Sequence, residues 1–233
     1  MGAWGLWQKR YSMIKIKWLI IVLILLLAVP GGFSQEYPYA ADIRKFKEND
    51  KLDPPPQDAI LFAGSSSFTM WQDVGDYFPG YIIINRGFGG STLSDQIHYS
   101  EEVIFPYNPK QIVIYCGEND LAYSDTVTAE MVTERFTTLF KMIRAKLPDV
   151  KITYVSMKPS PSRWHLSDKM IKGNNDIKDF LSTQNNTGFV NIWDPMLNED
   201  GSPDPSLFLD DMLHMNAGGY RIWQKKIEPE LRR

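Results

Sequence analysis

The chain is poor in the residues that build disulfides and metal cages. Cys116 is its only cysteine in 233 residues, so no intrachain disulfide can form. Histidine occurs three times, at His98, His165 and His214. These are scattered without zinc-ligand spacing, so no metal site is expected, and no cofactor. Positive charge is not in excess either: 25 Lys and Arg face 28 Asp and Glu, a net charge of −3. That balance argues against a nucleic-acid backbone as partner. Internal repeats and low-complexity segments are absent, and only one long apolar run exists. Its composition, 43% hydrophobic and 23% charged, is that of a globular protein with one main domain.

The single long run is N-terminal. Lys9, Arg10, Lys15 and Lys17 precede an unbroken apolar stretch at 18–29, and Pro30, Gly31, Gly32, Phe33 and Ser34 follow. Basic, apolar and small-residue segments in that order are the pattern of a secretory signal. The stretch is shorter than the roughly 20 residues of a membrane span. An anchor that stays uncleaved is the alternative, and it would be the only membrane association. Translation from Met13 would give a more compact signal. Cleavage after Ser34 would leave a mature chain of net charge −7, because residues 1–34 hold four basic and no acidic residues. Export without disulfides suits a bacterial periplasm or exterior. The expected organisation is a signal at 1–34, an N-terminal extension at 35–58 and a catalytic domain at 59–233.

Past Pro54, Pro55 and Pro56, apolar runs of strand length fall at 59–63, 81–84, 111–116 and 152–156, with a fifth at 189–193. Helical periodicity separates them. Val132, Phe136, Leu139, Phe140, Ile143 and Leu147 share one face, ended by Pro148. Met170, Ile171, Ile177, Phe180 and Leu181 form another, and Ile222, Trp223, Ile227 and Leu231 a third near the C-terminus. Alternating strands and helices predict an α/β fold with a parallel sheet of about five strands and helices on both faces. In such sheets the ligand lies beyond the C-terminal ends of the strands. Polar and glycine-rich loops follow those ends: Gly64-Ser65-Ser66-Ser67, then Asn85-Arg86-Gly87-Phe88-Gly89-Gly90-Ser91, then Gly117-Glu118-Asn119-Asp120, then Lys158-Pro159-Ser160-Pro161-Ser162-Arg163-Trp164. The convergence is a stronger signal than any one loop.

A serine is unreactive at neutral pH without a base, and the base needs an orienting group. His214, with Asp211 three residues before it, can supply both, since a carboxylate at that spacing reaches the imidazole Nδ1 hydrogen. Taken alone, Asp-x-x-His is more often a surface cap; beside the other three loops that preference reverses. Acyl transfer also needs donors for a developing oxyanion. The Gly89-Gly90 turn can offer backbone N–H groups and Asn119 a side-chain amide. The plain alternatives are a tight turn and a helix cap. These residues alone do not separate Ser65 from Ser66.

The four blocks resemble the SGNH (GDSL-type) hydrolase family of esterases and acylhydrolases, over most of the chain from residue 59 onward. The resemblance implies a flavodoxin-like three-layer α/β/α sandwich. It aligns Ser66 with the family's nucleophile, with Ser65 standing where the family has aspartate. It implies Gly90 and Asn119 as oxyanion donors, with the backbone N–H of Ser66 as a third, and Asp211 and His214 as acid and base. Arg163 and Trp164 lie on a proline-stiffened loop at the same edge. There Trp can stack on a sugar ring and Arg can hold a carboxylate or carbonyl, although a purely structural loop would use the same residues. Cys116 is expected to be a small buried residue, and His98 and His165 exposed polar ones.

The expected function is that of a secreted serine esterase acting on short-chain esters, acetyl above all, on carbohydrate through a Ser-His-Asp acyl-enzyme. The partner is thus a small-molecule or glycan ester. An acyltransferase to glycan would use the same triad, and a non-catalytic glycan-binding protein would keep the scaffold without the chemistry. Gly87-Phe88-Gly89-Gly90 lacks the third glycine of a dinucleotide loop and no Walker lysine occurs, which weakens a nucleotide reading. The Gly-x-Ser-x-Gly elbow of α/β-hydrolases is absent around Ser66.

Overall fold

A computed structural model describes residues 36–233, and the fold runs through Pro38–Arg233. The expected signal at 1–34 lies outside the described residues. Five strands form one all-parallel sheet: β1 (Ile60–Gly64), β2 (Ile83–Gly87), β3 (Gln111–Tyr115), β4 (Lys151–Val155) and β5 (Thr187–Val190), in the order β2-β1-β3-β4-β5. This is the flavodoxin-like order, whose direction reverses between β1 and β3 and so opens a crevice at that edge.

Both faces of the central strands are covered, and the two-residue period of a strand sends alternate side chains to opposite sides. From β1 and β3, Leu61, Ala63, Ile112 and Ile114 enter one core with Val132, Phe136 and Leu139. Ile60, Phe62, Val113 and Tyr115 enter the other, with Phe68, Trp71 and Trp223. The first core is covered by α5 (Ala129–Lys146) and α6 (Ser167–Ser182), the second by α7 (Ala217–Ile227). Preceding these in the chain are α1 (Ala40–Leu52), α2 (Ser66–Thr69), α3 (Leu93–His98) and α4 (Glu118–Tyr123). Among the described residues no helix is long and apolar enough to cross a membrane.

Two sequence expectations need correction. The second strand is Ile83–Gly87, not 81–84. Asn85, Arg86 and Gly87 have the look of a loop, yet they pair in register with Phe62, Ala63 and Gly64. The fifth strand is Thr187–Val190 rather than 189–193, because the chain turns away after Val190 and Asn191 caps the turn with Oδ1 accepting from the N–H groups of Trp193 and Asp194. The extension at 35–58 holds a 13-residue helix, α1, which the polar sequence concealed. It docks through Ile43 in the first core, through Phe46 under the Arg86 guanidinium, and through Asp50, which accepts from Arg86 and from the Tyr107 hydroxyl at 2.6 Å.

Candidate active site

The site is assembled at the C-terminal edge of β1, β3 and β4, as an open parallel sheet leads one to expect. Strand β1 ends at Gly64, whose neighbour strand is so close that a Cβ there would lie 2.0 Å from the Tyr115 carbonyl oxygen. Only glycine allows that approach. The chain then turns into α2 through the extended Ser65. Ser65 and Ser67 are buried and Ser66 is partly exposed, so of the three serines Ser66 alone faces outward. The short helix is held in place from the neighbouring strand: Asn85 Nδ2 donates to the carbonyls of Phe68 at 2.7 Å and Trp71 at 3.3 Å.

Ser66 Oγ lies 3.0 Å from His214 Nε2, and His214 Nδ1 lies 2.6 Å from Asp211 Oδ2. An ionised carboxylate only accepts, so Nδ1 carries the ring hydrogen and Nε2 is left to accept the serine proton. Asp211 Oδ1 in turn accepts the backbone N–H groups of Leu213 and His214, each at 2.9 Å. Burial works to raise the Asp211 carboxyl, but these hydrogen bonds, that of His214 foremost, outweigh it and hold it down to about 2. The tight turn that carries the pair places Met212 at φ 54 and is closed by Leu209 N–H donating to the His214 carbonyl at 2.7 Å.

The loop after β2 supplies Gly90 at φ +84, a conformation that favours glycine. It sits between the other two loops. A Cβ on Gly89 would be 3.9 Å from Ser66 Cβ, and the Ser91 carbonyl accepts from Asn119 Nδ2 at 2.9 Å. The backbone N–H groups of Ser66 and Gly90 have no acceptor among the described residues, and Asn119 Nδ2 has a second hydrogen beyond the one given to Ser91. Three donors beside one serine can stabilise a developing oxyanion. Asp120, buried, fixes this loop from below. Its Oδ2 accepts from Leu93 N–H at 2.9 Å and its Oδ1 from Arg135 at 2.7 Å. Gln96 Nε2 ties Ser91 Oγ to the Gly64 carbonyl, at 3.0 and 3.1 Å.

Beneath Asn119 lies a charged cluster that sequence reasoning missed. Glu118, 3% exposed, and Lys158, 2% exposed, form an ion pair of 2.7 Å. Tyr115 hydroxyl donates to the same Glu118 oxygen, and Ser160 Oγ donates to the other at 3.2 Å. Arg163 Nη1 donates to Glu118 Oε1 at 3.1 Å and to Asn119 Oδ1 at 2.9 Å. Burial pushes the Glu118 carboxyl up, but Lys158 and Arg163 outweigh it and hold it below its ordinary value. The signal was a lysine and a glutamate on two loops of the active edge; nothing in the sequence pairs them.

Trp164 is 36% exposed and stacks on Trp193 with ring centroids 5.9 Å apart. Cys116 is buried, its thiol pushed well up by burial. His98 and His165 are exposed. No group of three or more His, Cys, Asp or Glu among the described residues is placed to hold a metal ion.

Solved structures share this fold. A GDSL-like lipase from Bacteroides thetaiotaomicron superposes with a TM-score of 0.70 at 22% identity, covering 82% of this chain and 97% of that one. A lipase/acylhydrolase from Enterococcus faecalis gives 0.58 at 15%, covering 75% and 97%. The acetyl xylan esterase AlAXEase gives 0.60 at 18%, covering 75% and 100%. No curated protein sequence matches the chain. The family model for the GDSL-like lipase/acylhydrolase family matches residues 57–222, well over half of the sequence and all five strands, and the chain belongs to that family.

Proposed function

We propose that the protein is an exported serine esterase that hydrolyses short-chain esters, acetyl above all, on carbohydrate. The observation that carries this is the continuous chain Ser66 Oγ–His214 Nε2 at 3.0 Å and His214 Nδ1–Asp211 Oδ2 at 2.6 Å, on the scaffold of an ester-hydrolysing family. In this reading Ser66 Oγ attacks the ester carbonyl while His214 Nε2 takes its proton. The oxyanion of the tetrahedral intermediate accepts from the N–H groups of Ser66 and Gly90 and from Asn119 Nδ2. His214 then returns the proton to the departing alcohol, leaving an acyl group on Ser66. Water, deprotonated by His214, releases the acid. Asp211 holds the imidazole tautomer throughout and stabilises the imidazolium.

Support for carbohydrate comes from the exposed Trp164 on its Trp193 support, since sugar rings present C–H faces that stack on aromatic rings. An acetyl xylan esterase is among the proteins of this fold. The basic-then-apolar N-terminus supports export. The test compares kcat/KM for p-nitrophenyl acetate, butyrate and octanoate and for acetylated xylose and glucose units, with Ser66→Ala alongside. Acetyl should be preferred, the sugar esters should gain over simple ones, and Ser66→Ala should lose both hydrolysis and fluorophosphonate labelling. Labelling that persists in Ser66→Ala, or a preference for octanoate, would overturn the reading.

A further inference from the structure

We propose that Arg163 is a positioning residue for the oxyanion hole, one that aims the Asn119 amide at the substrate. The inference rests on the oxyanion role given above to Asn119. A guanidinium only donates and a backbone carbonyl only accepts, so the two partners of Asn119 settle which way its amide faces. Arg163 Nη1 takes Oδ1 at 2.9 Å, and the Ser91 carbonyl takes one hydrogen of Nδ2 at 2.9 Å. The second Nδ2 hydrogen is thereby left pointing out of that pair of contacts. Flipped by half a turn, the same amide would present an acceptor to an oxyanion and repel it.

Arg163 is itself anchored. The same Nη1 donates to Glu118, which is fixed in the interior by Lys158, Tyr115 and Ser160. Its side chain is only 19% exposed. One residue earlier, Ser162 N–H donates at 3.0 Å to the carbonyl of Met212, in the turn that carries Asp211 and His214. The loop after β4 therefore braces the oxyanion amide and the acid–base turn together. A buried ion pair this close to the reacting atoms serves orientation better than stability, since burying two charges costs much of what their attraction returns.

The test uses p-nitrophenyl acetate, whose leaving group carries no sugar or carboxylate for Arg163 to hold. Arg163→Gln should lower kcat about 10–10²-fold, the scale of a small misplacement of a reacting group, while KM moves less than about threefold. Arg163→Lys, reaching one acceptor instead of two, should fall between. In the Asn119→Ala background, Arg163→Gln should add almost nothing, because residues that act through one another are non-additive. An equal kcat loss in both backgrounds would overturn the positioning role. So would a raised KM at unchanged kcat, or no effect in the single variants. Full activity in Asn119→Ala alone would instead remove the oxyanion role of Asn119, and this inference with it. Melting curves of each variant separate misfolding from mispositioning, and Arg163→Lys carries the test if Arg163→Gln does not fold.

Discussion

Asp211 is the residue whose ionisation has the plainest consequence. Its carboxyl sits at about 2 in the folded protein and at about 4 in an unfolded chain. A carboxyl depressed by folding lends stability that is complete above the unfolded value and is lost as pH falls through the folded one. For Asp211 that window runs from about pH 4 down to about pH 2. Asp211→Asn removes the titration, so its melting temperature should fall less across that window than that of the wild type. Parallel falls would mean that His214 and the turn amides do not bind the carboxylate in solution. At neutral pH the same substitution should reduce kcat by about 10⁴, the scale found when a triad base loses its tautomer control. The choice among Ser65, Ser66 and Ser67 turns on burial. Three consecutive hydroxyls look alike in sequence, and the resemblance to a family block points to the middle one. The structure adds a physical reason: a tight turn into α2 buries the outer two.

Among the elements, α1 was the least legible. Its sequence, AADIRKFKENDKL, buries only Ile43, with Phe46 partly covered, too little for a clear apolar face. Its helical state is selected by contacts far along the chain. Arg86 in β2 and Tyr107 both meet Asp50, and Tyr99 hydroxyl donates to the Pro38 carbonyl at 2.8 Å just ahead of the helix. Asp50→Ala leaves the largely buried Tyr107 hydroxyl without its acceptor and should destabilise the fold by about 1–3 kcal/mol. Urea unfolding measures this, and an unchanged midpoint would mean that the Asp50 contacts contribute nothing to the fold. Strand β2 failed at its boundary for the opposite reason. Asn85 and Arg86 are polar, but sheet pairing with β1 decides their backbone and gives their side chains partners, Asn85 on α2 and Arg86 on α1. By contrast α5 and α6 were visible at once, because a long amphipathic period needs no tertiary information to be seen.

At the scale of the molecule, the sheet order β2-β1-β3-β4-β5 puts the loops after β1 and β3 side by side at the point where the order reverses. The loop after β2 closes over them, and the turn before α7 brings His214 to Ser66 from 148 positions along the chain. What holds α7, the helix that follows that turn, is the aromatic core of the second face. Trp223 of α7 is fully buried, with Tyr115 at 4.7 Å and Phe68 at 6.1 Å between ring centroids, the latter on the same short helix as Ser66. Trp223→Ala should cost about 3–5 kcal/mol, the range for removing a large aromatic from a packed core. It should also lower kcat among the molecules that remain folded, since α7 and the turn ahead of it would shift relative to α2. Wild-type kcat per folded molecule would uncouple this packing from the site.

Elements that rest on local pattern can be read along the chain. The buried runs 60–63, 112–115 and 152–155 of β1, β3 and β4 are apolar but for Thr153, the long helices show their period, and Asp211 and His214 are close enough in the chain to meet whatever surrounds them. Contacts between loops exist only once the sheet has formed. The Glu118–Lys158 pair joins residues 40 positions apart, and Arg163 reaches Asn119 across 44. Neither spacing carries a signal along a chain, because a charged residue in a loop is ordinarily solvated on its own. It becomes a buried partner only when the ends of β3 and β4 lie next to each other, and that adjacency is a property of the sheet.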